Sequence, residues 1–145
     1  MRLKFFIYII VIALIAIQFI NVERTNPPVA AEIKAPPDVK KILRNSCYDC
    51  HSNETKWPWY SYIAPISWLV EKDVKSGRKH LNFSEWEKLT TKKKDKKREE
   101  IWEQISKDEM PLDIYTYMHP NAKLSLLQKN IIKNWLNNSN NFFDY

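Results

Sequence analysis

Gly77 is the only glycine in this chain of 145 residues. Phosphate-cradling loops, dinucleotide fingerprints and nucleophile elbows each need several glycines for tight turns and close backbone approach, so all three are excluded. Meanders and sandwiches built on glycine turns are disfavoured for the same reason. Six Trp, seven Tyr and six Phe supply the material of a packed core rather than of a disordered chain. The expected fold class is mainly α.

The first 22 residues stand apart. Arg2 and Lys4 precede an apolar run, Phe5–Ile20, interrupted only by Gln18. Counted to Val22, the run is near the short end of the ~17–25 residues that cross a bilayer as a helix. Basic residues before it favour a cytoplasmic N-terminus and an exported remainder. A cleaved signal peptide is the rival reading, but its apolar region is shorter and ends at a small-x-small site. Here the nearest small cluster, Val29-Ala30-Ala31, lies well past the run, beyond Pro27 and Pro28. The expected location is the inner membrane, single-pass, with the rest of the chain in the periplasm, or free in the periplasm if the segment is cleaved. Residues 23–37, with Pro27, Pro28, Pro36 and Pro37, read as an extended, semi-rigid spacer that holds the domain of residues 38–145 off the membrane.

That domain reads as helices. Asp38 is placed to cap a first one, with Val39, Ile42 and Leu43 inward. Pro65 suits the first turn of a second, with Ile66, Leu69, Val70 and Val74 at helical spacing and Gly77 as C-terminal cap. Ser84 with Glu87, and Ser125 with Gln128, form two capping-box patterns. The first opens a helix bearing Trp86 and Leu89. The second opens one with Leu127, Ile131 and Trp135 on a stripe widened by Leu124, Ile132 and Leu136. Between them a helix over Lys92–Lys107 turns Ile101, Trp102 and Ile105 inward.

The chemistry lies in Cys47-Tyr48-Asp49-Cys50-His51, the C-x-x-C-H attachment pattern for c-type haem. Two thiols three positions apart reach the two vinyl groups of one porphyrin, and the following histidine lies under the iron. Three rivals share these residues. One is a Cys47–Cys50 disulfide. Another is a thioredoxin-type redox pair, which needs a βαβ setting the chain lacks. The third is zinc on both cysteines with two of His51, His80 and His119, although no compact second ligand pair follows. For the second axial position the candidates rank Met110, His119, Met118, His80. Met110 leads because Pro111 restricts its predecessor to an extended form and presents the thioether rigidly.

Taken together, the segments Cys47–Thr55, Trp57–Leu69, Gly77–Trp86, Glu109-Met110-Pro111 and His119–Ser125 resemble a family of small bacterial haem-binding domains of monohaem c-type cytochrome character. The resemblance runs from about Lys40 to Trp135. It implies a small cytochrome c-like helical domain around one haem c per chain, covalent on Cys47 and Cys50, with His51 on the iron. It also draws notice to Met110 and His119. The expected function is one-electron transfer with a redox partner, and no group is arranged for enzymatic acid–base or nucleophilic turnover; Glu99-Glu100 read as solvated. A haem-based sensor with a weakly held sixth ligand is the alternative, and a peroxidase-like enzyme a third. Trp57, Trp59, Tyr60, Tyr62 and Trp68 read either as a wall around the porphyrin or as ordinary core. Arg78 reads as a solvated surface group or a propionate partner. The run Lys92–Arg98 reads as a solvated helix face, with lipid headgroups or an acidic partner as other uses. Nucleic acid is not expected, because no aromatic platform interleaves the lysines of an exported domain.

Overall fold

A computed structural model describes residues 2–138, and among them there are helices and no strand. Helix α1, Arg2–Ala16, continues through a 3-10 turn at Ile17–Phe19. Arg2–Phe19 has mean hydropathy 2.1 and none of it is buried. By length and composition it can cross a membrane, a test that a signal sequence passes as well.

The body is built from α2 (Pro37–Ser46), the one-turn α3 (Tyr48–His51), α4 (Ile66–His80), α5 (Thr91–Ser106), the short α6 (Asp113–Met118) and α7 (Leu126–Asn138). In α2, Pro37 at the first helical position pre-sets φ, and apolar Val39, Ile42 and Leu43 fall on one buried face. Asp38 does not cap this helix. It lies inside the first turn, where its charge still suits the helix dipole, and Pro36 holds the cap position. These residues meet Phe83, Trp86, Ile101, Ile105, Ile132 and Leu136 in one core. At the start of α7 the capping box forms as expected. The Ser125 amide donates to Gln128 Oε1 (2.8 Å) and the Gln128 amide to Ser125 Oγ (3.2 Å).

Other expectations fail for reasons visible in the packing. At Ser84 no capping box forms. Asn82 caps the 3-10 segment Phe83–Lys88 instead, and the fully buried Ser84 Oγ accepts the Asn53 amide at 2.9 Å. Gly77 does not cap α4. It lies inside the helix without a positive φ, and the helix runs on to His80. The buried face of α4 is Ser67, Val74 and Gly77, so Ile66 and Leu69 point outward rather than into the core. In α7, Leu127 is exposed, and Ile132 with Leu136 carry the buried face.

Residues 23–37, read from the sequence as a spacer, lie against the domain. Ile33 is buried, as is Val22 just before the stretch. The Ala31 amide donates to the Ser84 carbonyl (2.9 Å), that of Ile33 to the Phe83 carbonyl (2.8 Å), and the Glu87 amide to the Ala31 carbonyl (3.0 Å). Arg78 locks the same strap. Its guanidinium donates to the Thr25 carbonyl and Asn26 Oδ1 on the strap, and to the Ser52 carbonyl and Thr55 Oγ1 beside the cysteine motif, all within 2.9 Å. Arg78 is therefore a structural clamp, with four of its five donors engaged, rather than a solvated surface group.

Candidate functional site

The cysteine motif turns at the junction of α2 and α3. The Cys47 amide closes α2 on the Leu43 carbonyl (2.8 Å), and the Cys47 carbonyl accepts both Cys50 N–H (3.1 Å) and His51 N–H (2.9 Å). One helical turn thus places Cys47 and Cys50 on the same side. The turn is pinned outside by Asp49, whose carbonyl accepts Thr55 Oγ1 (2.7 Å) and whose Oδ1 accepts the Lys56 amide (3.1 Å).

Helix α4 packs directly on this turn, and Gly77 is the reason it can. A Cβ at position 77 would lie 2.4 Å from the Cys50 carbonyl oxygen. No real contact is that short, so only glycine admits the approach. The approach brings the Gly77 and Leu81 carbonyls each to 3.1 Å from His51 Nδ1. Carbonyls only accept, so Nδ1 carries the hydrogen and Nε2 is left with a free lone pair. Burial holds the His51 pKa below its ordinary value, which keeps the ring neutral.

Both thiols and His51 line a cavity of about 550 Å³, within the range of cofactor sites. Leu43, Phe83, Ile101, Ile105 and Leu124 supply apolar walls. Met110 and Pro111 line it too. Their position follows from how α5 ends. Asp108 adopts φ 58°, the left-handed region, and the chain doubles back so that the Gln104 carbonyl accepts both Glu109 N–H (3.0 Å) and Met110 N–H (3.3 Å). Farther along, Tyr115 on α6 lines the cavity and donates its hydroxyl to Asp49 Oδ2 at 2.8 Å. This bond ties the Met110 side of the cavity to the cysteine motif. Nothing in the sequence marked Tyr115, and Asp49 occupies a variable position of the motif.

Of the other ligand candidates, His119 is not on the cavity wall. Its Nε2 is 2.8 Å from the Tyr60 hydroxyl, and its ring stacks on Tyr115 at 4.5 Å. Met118 is exposed and also off the wall. His80 does line the cavity, but it lies on α4 between the two residues that hold His51, with Nδ1 at 2.8 Å from the Ser76 carbonyl. None of Trp57, Trp59, Tyr60, Tyr62 and Trp68 lines the cavity, so the porphyrin-wall reading of that segment is replaced by Phe83 and Tyr115. In the lysine-rich run, Lys97 and Glu100 pair with each other where they meet the cavity.

The rival chemistries find little support. Cys47 and Cys50 are free. Burial, with a smaller contribution from Cys50, pushes the Cys47 thiol up to about 12. Burial, then Asp49 and Asp73, does the same to Cys50. A redox pair needs the opposite, a stabilised thiolate. Among the described residues no group of three or more His, Cys, Asp or Glu side chains is gathered to hold a metal ion, so the zinc set of cysteines and histidines is not assembled.

Residues 12–138 match the model of a family described as a haem-binding domain. The chain belongs to that family. No curated protein and no solved structure gives a match. The haem-binding domain so defined contains the cavity, both thiols, His51 and Met110. The donor set fits a haem. An apolar space of adequate volume is bordered by two protonated thiols on one turn and by a neutral imidazole with its outer nitrogen already satisfied.

Proposed function

We propose that this haem-binding domain carries one haem c and passes single electrons. Cys47 and Cys50 would hold it through thioethers, and His51 Nε2 and Met110 sulfur would hold its iron. The observation that carries this reading is the single cavity that gathers Cys47, Cys50, His51 and Met110 while His119 stays bonded to Tyr60. The iron supplies the chemistry, a change between ferrous and ferric states. The chain's own residues attach, orient and desolvate. The Gly77 and Leu81 carbonyls fix the His51 ring and raise its basicity. Phe83, Ile101 and Leu124 exclude water, which together with a thioether ligand favours the reduced state and a high potential. No residue is assigned a catalytic role.

The reading extends to place and partners. Helix α1 serves as an inner-membrane anchor with the domain on the periplasmic side. The partner is a redox protein rather than a nucleic acid.

One observation favours a second reading. Met110 is held by a single bond from its amide to Gln104, so a haem-based sensor whose sixth ligand yields to a small gas is the alternative. The test is co-expression with a c-type maturation system, followed by a denaturing haem stain and optical spectra. Electron transfer through His/Met ligation predicts covalent haem, a sulfur-to-iron charge-transfer band in the oxidised form, and loss of that band in Met110→Ala. Covalent haem that binds carbon monoxide readily, with no such band, would establish the sensor. Absence of covalent haem would overturn both.

A further inference from the structure

Among the described residues, a group of apolar side chains beside the end of α1 is turned outward. Trp59 is 70 % exposed, Tyr62 59 %, Ile63 45 % and Ile66 47 %. They come from the 3-10 segment Trp59–Tyr62 and the start of α4, which pack on each other. Isolated exposed apolar residues are ordinary, but four close in sequence, two of them aromatic, point to an interaction surface.

The anchor identifies what covers it. Gln18 is the one polar residue of the apolar run and lies one residue from the end of the 18-residue span Arg2–Phe19. At 1.5 Å per residue that span is about 27 Å long, close to the ~30 Å hydrocarbon core, so Gln18 falls at the boundary of the bilayer. There it grips the domain. Gln18 Nε2 donates to the Ala64 carbonyl (3.1 Å), and the Ala64 amide donates to Gln18 Oε1 (2.9 Å). Ala64 is the neighbour of Ile63 and two residues from Ile66. Arg24 adds a second tie, donating to the Ser61 carbonyl (3.1 Å) and lying 4.4 Å over the Tyr62 ring. The junction therefore fixes the patch at the depth where the helix leaves the lipid. Trp and Tyr are the residues that favour this layer, with an apolar ring in the acyl boundary and a polar edge among headgroups.

We propose that Trp59, Tyr62, Ile63 and Ile66 rest in the headgroup–acyl boundary of the membrane that α1 crosses, so that the domain lies on the bilayer. The proposal rests on α1 as an uncleaved anchor. It assigns a function to the Trp57–Leu69 segment that the cavity does not use.

Hydroxyl-radical footprinting of the full haem-loaded chain tests it, in phosphatidylethanolamine–phosphatidylglycerol nanodiscs holding one chain each. Tyr117, 84 % exposed on α6, is the internal reference. Oxidation of Trp59 and Tyr62, each normalised to the unfolded chain, is expected to be about fivefold below that of Tyr117. Ile63→Asp with Ile66→Asp changes two exposed positions, and an acidic residue at 66 suits the first turn of α4. This variant is expected to stay in the disc with an unchanged haem spectrum and to regain most of the labelling. A chain not retained by the discs would remove the anchor and the proposal with it. A retained chain labelled at Trp59 as readily as at Tyr117 would overturn the docking and leave the anchor standing. Protection that appears only with two chains per disc, or that survives the double variant, would also overturn it, the former in favour of self-association.

Discussion

On the His51 side of the cavity, Gly77 seats α4 against the Cys50 carbonyl, two carbonyls hold the imidazole, and four Arg78 hydrogen bonds clamp the strap to the residues after the motif. On the Met110 side, the Gln104 carbonyl accepts two amides, and a single Tyr115–Asp49 bond ties the segment across. One wall is over-determined and the other is lightly fastened. Preorganisation of this kind fixes one ligand geometry. On the proposed function, the lighter wall would leave Met110 free to be set by small changes in a loop, and a haem held covalently on the rigid side would need no rigid second side to remain bound.

The contrast can be broken most severely at Gly77. Helix propensity alone favours Gly77→Ala by about 1 kcal/mol. The added Cβ would meet a backbone oxygen at 2.4 Å, and backbone cannot swing aside. The overpacking cost dominates, so the variant should lose about 2–3 kcal/mol net and incorporate much less covalent haem. Thermal unfolding and a haem stain check this. A variant as stable as the parent would show that α4 does not rely on that approach.

Arg78→Met comes next. It keeps the aliphatic stem and strips donors from two carbonyls and two side-chain oxygens, for an expected loss of about 2 kcal/mol by denaturant titration. The strap should become the first site of proteolysis, while the optical spectrum of any folded haem protein stays unchanged.

Tyr115→Phe sharpens the comparison from the other side. Losing one hydrogen bond to a carboxylate costs about 1.5 kcal/mol at this part-buried site. The expected signature is spectral: a weaker sulfur-to-iron band and faster carbon monoxide binding, with covalent haem intact. An unaltered band would mean that Gln104 alone positions Met110.

Glu32→Gln should have the smallest effect, and one dependent on pH. Burial pushes the Glu32 carboxyl up, but hydrogen bonds from Lys40 and Tyr48 and the charges of Lys40 and Arg44 outweigh it, leaving the pKa below the ordinary value of 4.5. A depressed carboxyl contributes stability above its unfolded pKa of ~4.3 and loses it as pH falls through the folded value. The parent should therefore be more stable than the variant at neutral pH, with the gap closing in acid below about pH 4. A gap that widened in acid would contradict the sign.

Local patterns proved readable where neighbours within one or two turns suffice, as in the Ser125–Gln128 box and the inward Ile101 and Ile105. Long-range geometry was not. The lone glycine was visible, yet whether it ends a helix or admits another backbone depends on Cys50, 27 residues earlier in sequence. Asp38 and Ser84 carry cap-forming side chains, but Pro36 holds one cap position and Asn82 claims the other. Ile66 and Leu69 have core-like spacing, but Ser67, Val74 and Gly77 form the face that packs. Tyr115 and Asp49 meet across 66 positions, a distance no local pattern encodes.

The strap has a consequence for encounter. As a free spacer, residues 23–37 would let the domain sweep a volume with a radius of about 45 Å around its point of attachment. Stitched to Phe83, Ser84 and Arg78, the same residues leave almost no radius. With α1 as the proposed anchor, the molecule would be a fixed post rather than a swinging arm. Any exchange at the cavity then depends on the visitor's diffusion and orientation, so its rate should respond to the visitor's concentration and hardly at all to lengthening the prolines' segment.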